Sequence, residues 1–148
     1  MKPQLRAESI IKRINIDQCQ FLVQCSDDES FYRFPGGSVE FGETSVQTLE
    51  RELFEEYSLN IDVGKLKVVS ERLISFNGID LHQITLLHFA KLIDDGFTLL
   101  RHKEHSDVKI VWRTFEELCS KPVFPPGILE ILTDSSDTVL HLINGFND

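Results

Sequence analysis

Cysteine is scarce in this chain, and the three cysteines that occur form no recognisable pattern. Cys19 and Cys25 lie six positions apart on one predicted strand, and Cys119 stands alone. Neither a disulfide framework nor a metal-binding cysteine motif has this spacing. We therefore expect free thiols and no covalent cross-link in the fold.

Long apolar runs and an excess of positive charge are also missing. Nowhere do eighteen apolar residues follow one another, and the segment after Met1 is charged. The chain has 24 acidic and 15 basic residues, and the formal net charge of −9 opposes tight binding to nucleic-acid polymers or anionic membranes. We expect a cytoplasmic protein that binds neither. A small phosphorylated substrate is compatible with this charge, because a bound metal supplies local positive charge.

The order of the predicted elements indicates an α+β protein with one domain, residues 1–148. The length suits a single domain, and no internal repeat or low-complexity segment divides it. Strand-like segments lie at 6–16, 20–25, 62–76, 81–93 and 108–112, and Asn77-Gly78 is a strong hairpin signal. Helices are predicted at 44–57, 114–119 and 128–133. Residues 138–143 fit either a strand or a helical turn.

The segment 44–57 is predicted to be one amphipathic helix. Thr44 and Gln47 have the spacing of a capping box, and neither glycine nor proline occurs from there to Tyr57. At about 100° per residue, a set of apolar side chains falls on one side, which should face the core. This set is Val46, Leu49, Leu53, Phe54 and Tyr57.

Another side of the same helix carries converging carboxylates. Glu52, Glu55 and Glu56 fall within roughly 100°, because offsets of three and four residues bring helical side chains together. Like charges this close cost roughly 0.2–0.5 kcal/mol per pair, so a divalent cation is expected among them. A solvated acidic face is the alternative, but it requires neither the preceding turn at 35–37 nor Glu43.

Arg51 immediately precedes this acidic cluster. Its planar guanidinium can pair with Glu43 or with a neighbouring carboxylate, which would hold the cluster in shape. We expect the role of Arg51 to be mainly structural.

Residues 37–59 resemble the Nudix box, G-x5-E-x7-R-E-U-x-E-E-x-G-U with U aliphatic. Every specified position is present except the last glycine, where this chain has Ser58. The match covers about one sixth of the chain. The resemblance implies an α/β/α sandwich on a mixed β-sheet and a hydrolase acting on a nucleoside diphosphate linked to another group. It also implies a cofactor, Mg²⁺ or Mn²⁺, and suggests a homodimer, since many relatives pair.

The resemblance assigns roles to individual positions. Glu52, Glu55 and Glu56 would hold the cation, and the carbonyl of Gly36 would complete the set. Glu52 is our first choice for the general base. Glu55 and Glu104 compete with it, because this role moves among box and loop glutamates within the family.

The remaining motif residues are expected to support the site. The predicted catalytic set is Glu52, Glu55 and Arg51, and the predicted structural residues of the box are Gly37 and Glu43. Asp107 is a second and weaker candidate for the role of Glu104 as a base or metal ligand. Trp112 is expected in the core rather than as a base-stacking platform, and no substrate-binding residue is predicted.

Ser58 departs from the family pattern at the end of the helix. A glycine there would serve a backbone with positive φ, and a serine costs about 1 kcal/mol in that conformation because it has a Cβ. Since Ser58 bears no metal ligand, we interpret it as a local adjustment of the helix exit.

The substrate class is only partly determined by the sequence. Residues 73–76 lack the proline of ADP-ribose enzymes, Phe76 lacks the tyrosine hydroxyl of dinucleoside polyphosphate enzymes, and residues 21–34 lack the coenzyme A signature. Nucleoside triphosphates, oxidised or not, and nucleotide sugars stay open. The alternatives are a nucleotide-sensing module without catalysis and an enzyme acting on non-nucleotide diphosphates.

Overall fold

The structure, a computed structural model, describes residues 1–94 and 96–146. The predicted domain 1–148 also includes residues 95, 147 and 148, which lie outside the described part. The strands are β1 Gln4–Asn15, β2 Gln18–Ser26, β3 Tyr32–Arg33, β4 Gly36–Ser38, β5 Ile61–Phe76, β6 Ile79–Leu92, β7 Leu99–Arg101, β8 Val108–Thr114, β9 Val123–Phe124 and β10 Leu140–Asn144. The helices are α1 Ser45–Tyr57, α2 Phe115–Leu118 and α3 Ile128–Leu132.

The strands form a mixed sheet in the order β10-β5-β6-β1-β2-β3-β9, in which β4 adds to β1 and β8 joins β2 to β7. The pairs β1–β6, β5–β10 and β3–β9 are parallel, and the others are antiparallel. β1 belongs to both halves of the sheet, because its first part pairs with β4 and β6 and its last part with β2. The predicted mixed sheet is confirmed.

Helices cover both faces of this sheet. On one face, Leu49, Leu53 and Tyr57 of α1 pack with Ile11 and Trp112 in an apolar cluster. On the other face, residues of α2 and α3 pack in a second cluster around Phe34. The architecture is therefore the predicted α/β/α sandwich, and Trp112 is a core residue as predicted.

Most predicted elements are present with small changes at their ends. The turn between β5 and β6 is made by Asn77 and Gly78, whose φ angles are 51° and 76°. Such a two-residue turn with positive φ at both positions matches the twist of a hairpin. The ambiguous segment 138–143 contributes the strand β10, which pairs in parallel with β5.

Two predictions about the box segment were wrong. Phe54 is 54% exposed rather than buried, and its ring lies under Lys103 Nζ. At about 100° per residue, Phe54 is too far around the helix from the buried stripe of Leu49, Leu53 and Tyr57. The predicted Pro-Gly-Gly turn is in part the short strand β4, because Gly36 and Gly37 pair with β1.

In the described ranges, 1–94 and 96–146, there is no helix with the length and apolar character needed to cross a membrane.

Candidate active site

The carboxylate helix α1 begins at a capping box. The Gln47 N–H donates to Thr44 Oγ1 at 3.2 Å, and the Thr44 N–H donates to Gln47 Oε1 at 2.9 Å. These bonds satisfy backbone donors that a helix start leaves unpaired. Because Leu49 and Leu53 are fully buried on one side, the glutamates face away from the core.

The helix ends at Ser58, which has φ 55° and ψ 32°. The Ser58 N–H donates to the carbonyls of Leu53 and Phe54. The Leu59 N–H donates to the Leu53 carbonyl at 3.2 Å. The left-handed conformation expected at the family's glycine position is therefore present, with serine adopting it.

The glycines before the helix permit close contact between β4, β1 and α1. A Cβ on Gly36 would lie 1.9 Å from the Ala7 carbonyl oxygen, and one on Gly37 would lie 2.4 Å from Glu52 Cδ. Any larger residue at Gly37 would therefore displace the Glu52 side chain.

Arg51 contacts Glu43 and the box carboxylates at once. Its Nη1 donates to Glu52 Oε1 at 2.9 Å and to Glu55 Oε2 at 3.2 Å, while Nε and Nη2 bind Glu43. Arg51 holds the pKa of Glu43 near 2, assisted by the Glu40 N–H. Both partner choices predicted for Arg51 thus occur together.

Glu52 and Glu56 form a close carboxylate pair with side chains that are 15% and 18% exposed. Burial and the adjacent Glu52 together raise the pKa of Glu56 to about 8, against the opposing effect of the nearby Arg33 and Arg6. No donor within the described part of the chain reaches the buried Oε2 of Glu56. Such a pair of carboxylates offers the oxygen ligands that a hard divalent cation prefers.

The other predicted ligand is less ready to bind a metal. Glu55 is 59% exposed and its Oε2 is bound to Arg51. Across residues 1–94 and 96–146, no group of three acidic, histidine or cysteine side chains is already arranged around one metal position. The residues fit a divalent cation through Glu52 and Glu56, and Glu55 would join after it leaves Arg51.

The predicted extra acid, Glu104, lies in a loop fixed to the end of α1. The Lys103 N–H donates to the Glu56 carbonyl at 2.9 Å, and the N–H groups of Glu104 and His105 donate to His102 Nδ1. The loop is therefore next to the carboxylate pair. The weaker candidate, Asp107, lies at the other end of this loop, where its backbone carbonyl accepts a hydrogen bond from the Asp27 N–H.

Sequence reasoning missed an arginine-rich recess beside the carboxylates. A cavity of about 50 Å³ is lined by Arg6, Glu8, Arg33, Arg72, Gln83, Thr85, Phe124 and Pro125. Arg6 Nε lies 3.6 Å from Glu8 Oε2, and the Arg72 guanidinium lies 4.8 Å from the centroid of the Phe124 ring. Burial raises the pKa of Glu8, and Arg6 and Arg33 oppose that rise.

The recess was missed because its residues come from separate parts of the chain. One signal was available in β1, where Arg6 and Glu8 occupy alternate positions and so face the same side. Glu8 is only 7% exposed, and a carboxylate this buried needs charged or hydrogen-bonding partners. Only the fold brings Arg33 and Arg72 to it.

The NUDIX domain family model matches residues 6–134. The chain belongs to the Nudix family, and it is a Nudix pyrophosphohydrolase. Its relatives include the CTP pyrophosphohydrolase of Escherichia coli (strain K12), which is 33% identical over 103 residues, 70% of each chain.

Two solved structures are similar over most of the chain. The solution structure of the Escherichia coli ORF135 protein has 32% identity and a TM-score of 0.59, with 89% of each chain covered. The crystal structure of a Nudix hydrolase from Nitrosomonas europaea has a TM-score of 0.68 and covers 97% of this chain and 80% of its own. That second protein is 20% identical, so its similarity supports the fold alone.

Proposed function

We propose that this protein hydrolyses a phosphoanhydride bond in a small nucleotide with the help of Mg²⁺ or Mn²⁺. Nucleoside triphosphates are the first class to test, and nucleotide sugars the second. The observation that supports this most directly is the Glu52–Glu56 pair, in which burial and a like charge raise the pKa of Glu56. A cation would relieve both effects. The Escherichia coli relative makes CTP the first compound to test.

The ligands would be Glu52 and Glu56, joined by Glu55 and the Gly36 carbonyl. The bound cation would neutralise charge on the substrate phosphates and lower the pKa of a bound water. Glu55 must exchange its bond with Arg51 for the cation, and Arg51 keeps its two bonds to Glu43 as it does so.

The chain's own residues would position and deprotonate the attacking water. Water attacks phosphorus, the phosphoanhydride P–O bond breaks, and a carboxylate accepts the proton of the water. Glu52 is our first choice for this base, because the hydrogen bond from Arg51 Nη1 to its Oε1 fixes the orientation of the carboxylate. Glu55 and the loop residue Glu104 are the competing bases.

The arginine recess is proposed as part of the substrate-binding surface. Arg6, Arg33 and Arg72 outnumber the single acid, Glu8, so the recess is positively charged in a chain of net charge −9. Guanidinium groups bind phosphate oxygens in a bidentate way. The volume of about 50 Å³ suits one phosphate group or the edge of a base rather than a whole nucleotide.

We also propose that residues 1–148 act as one Nudix unit, which the family match over 6–134 supports. A homodimer and a cytoplasmic location stay predictions from the sequence.

The test is release of phosphate and pyrophosphate from CTP, the other nucleoside triphosphates, nucleotide sugars, ADP-ribose and dinucleoside polyphosphates, with Mg²⁺ or Mn²⁺. We expect metal-dependent release that Glu56→Gln abolishes. Glu50→Gln is the matched control, because Glu50 is an exposed glutamate of the same helix. Nucleotide binding without release from any compound would instead support the sensing module, and release from a non-nucleotide diphosphate alone would support the other enzyme class.

A further inference from the structure

His102 is buried between the last turn of α1 and the loop that carries Glu104. Its side chain is 7% exposed, and its ring contacts Tyr57 edge-on, with the ring centroids 5.5 Å apart. The ring of His105 packs beside it at 4.8 Å. A polar ring in this position needs partners for both nitrogens.

The hydrogen bonds of His102 identify which ring nitrogen carries the proton. Nδ1 accepts the N–H of Glu104 at 3.0 Å and the N–H of His105 at 3.2 Å. A nitrogen that faces two donors carries no hydrogen of its own, so we assign the neutral tautomer with its proton on Nε2. The backbone of the loop therefore makes Nε2 a donor.

That donor faces the carboxylate pair. His102 Nε2 lies 3.4 Å from Glu56 Oε1, whereas the buried Oε2 of Glu56 has no donor in the part of the chain described here. Hydrogen bonding from Nε2 to Oε1 would leave Oε2 directed at the position beside Glu52. A partner of this kind orients a metal-binding carboxylate and tunes its charge.

We propose that His102 is a positioning residue for Glu56: its Nε2–H, 3.4 Å from Glu56 Oε1, would donate to Oε1 when the divalent cation binds and so leave Oε2 for the cation. The inference rests on the proposed function, since it takes Glu56 as a metal ligand. His102 thereby has two separable tasks. Nδ1 fastens the loop, and Nε2 orients the carboxylate.

Two substitutions separate these tasks. Asn in place of His102 puts an acceptor near the position of Nδ1 and removes the donor to Glu56. Gln in place of His102 puts an N–H near the position of Nε2 and removes the acceptor for the loop. His82→Asn is the control, because His82 is an exposed histidine of β6 and has no part in the proposed site.

The measurements are Mn²⁺ affinity by electron paramagnetic resonance without substrate, the unfolding midpoint without metal, and kcat and KM for CTP. We expect His102→Asn to keep its unfolding midpoint and to lose about 10-fold to 100-fold in Mn²⁺ affinity, with a matching loss in kcat. His102→Gln should bind Mn²⁺ within about threefold of the wild type while its midpoint falls. His82→Asn should match the wild type in all three.

Three results would overturn the inference. If His102→Asn binds Mn²⁺ as tightly as the wild type, His102 is a loop fastener and the proposed function is unaffected. If the wild type binds no Mn²⁺, the proposed function fails together with the inference. Nitrogen NMR of the unsubstituted, metal-free protein needs no variant to fold. A proton on Nδ1 of His102 in that spectrum would also exclude the proposed donor.

Discussion

Arg51 binds Glu43 through two parallel hydrogen bonds, from Nε to Oε2 at 2.6 Å and from Nη2 to Oε1 at 2.9 Å. This fork connects the loop before α1 to the polar face of the helix. Because Nη1 also contacts Glu52, the arginine sets the position of the carboxylate proposed as the base. A single cationic point charge could not make these bonds in the same plane.

Arg51→Lys is therefore expected to lower kcat/KM by about tenfold or more, since lysine keeps the charge but loses the fork. Stability should fall by about 1–2 kcal/mol. Steady-state kinetics with CTP and urea unfolding measure the two effects. Arg101→Lys, at an exposed ion pair with Asp27, should leave both unchanged. Equal loss in the two variants would contradict a special role for the Arg51 fork.

Gly37→Ala should impair the site without unfolding the protein. The new Cβ would lie 2.4 Å from Glu52 Cδ, so this side chain must leave its place. We expect kcat/KM to fall by roughly a hundredfold, by analogy with other misplaced catalytic groups, and Mn²⁺ affinity to fall with it. The control is Gly96→Ala, where a Cβ meets nothing within 4 Å. Full activity in the Gly37 variant would show that Glu52 is not needed in this position.

The pKa of Glu56, raised to about 8 by burial and by Glu52, predicts how stability changes with pH without metal. Between about pH 4.5 and pH 8 the folded state binds more protons at Glu56 than the unfolded state. The contribution of the protonated Glu56 to the free energy of unfolding is therefore full below about pH 4.5, and it is lost as the pH rises through about 8. Solvent screening limits the change to on the order of 1–2 kcal/mol.

Urea unfolding at several pH values in the presence of a chelator measures this dependence. Glu56→Gln should flatten it, because the amide does not ionise, and added Mg²⁺ should restore stability to the wild type at pH 8 to 9. An identical pH dependence in the variant would exclude Glu56 as its source.

Glu29 should have the opposite pH dependence, away from the site. Although burial opposes it, hydrogen bonds from Lys109, Arg113 and Tyr32 hold the pKa of Glu29 at about 2. The contribution of the charged Glu29 to the free energy of unfolding is present above the pKa that Glu29 has in the unfolded state. It is lost as the pH falls toward about 2. Glu29→Gln should cost about 1–2 kcal/mol at pH 7 after allowance for screening, and less near pH 3, without changing kcat. A cost independent of pH would refute the ionic explanation.

Ser58→Gly should stabilise the protein by up to about 1 kcal/mol, because glycine adopts positive φ without a Cβ penalty. Turnover should stay within a few fold, since Ser58 bears no proposed ligand. Thermal unfolding and CTP hydrolysis test this pair of expectations. A large gain in turnover would show that serine at the helix exit limits catalysis.

Local signals in the sequence were enough to predict α1 and the β5–β6 hairpin. Thr44 and Gln47 cap the helix through bonds that span three residues, and Asn77-Gly78 closes a turn of two residues. Interactions of this range depend on neighbours in the chain, so they can be recognised without a fold. The box spacing likewise placed Glu52 and Glu56 on one helix face, because helical geometry relates residues four positions apart.

Short strands could not be predicted in this way. β9 has two residues, Val123 and Phe124, and exists because β3 pairs with it. The segment at 138–143 became a strand because β5 offers a parallel edge. Such elements are stabilised by partners far away in the chain, and their own residues favour no single conformation.

The sequence by itself determined the family, the helix that carries the carboxylates and the chemistry those carboxylates can support, since all three depend on residues within one short segment. Only the tertiary structure decided what surrounds them. It buries Glu56 beside Glu52, brings His102 Nε2 to within 3.4 Å of Glu56 Oε1 and assembles Arg6, Arg33 and Arg72 from three strands. Burial and proximity between distant segments set these properties, and neither is encoded in the local spacing of residues.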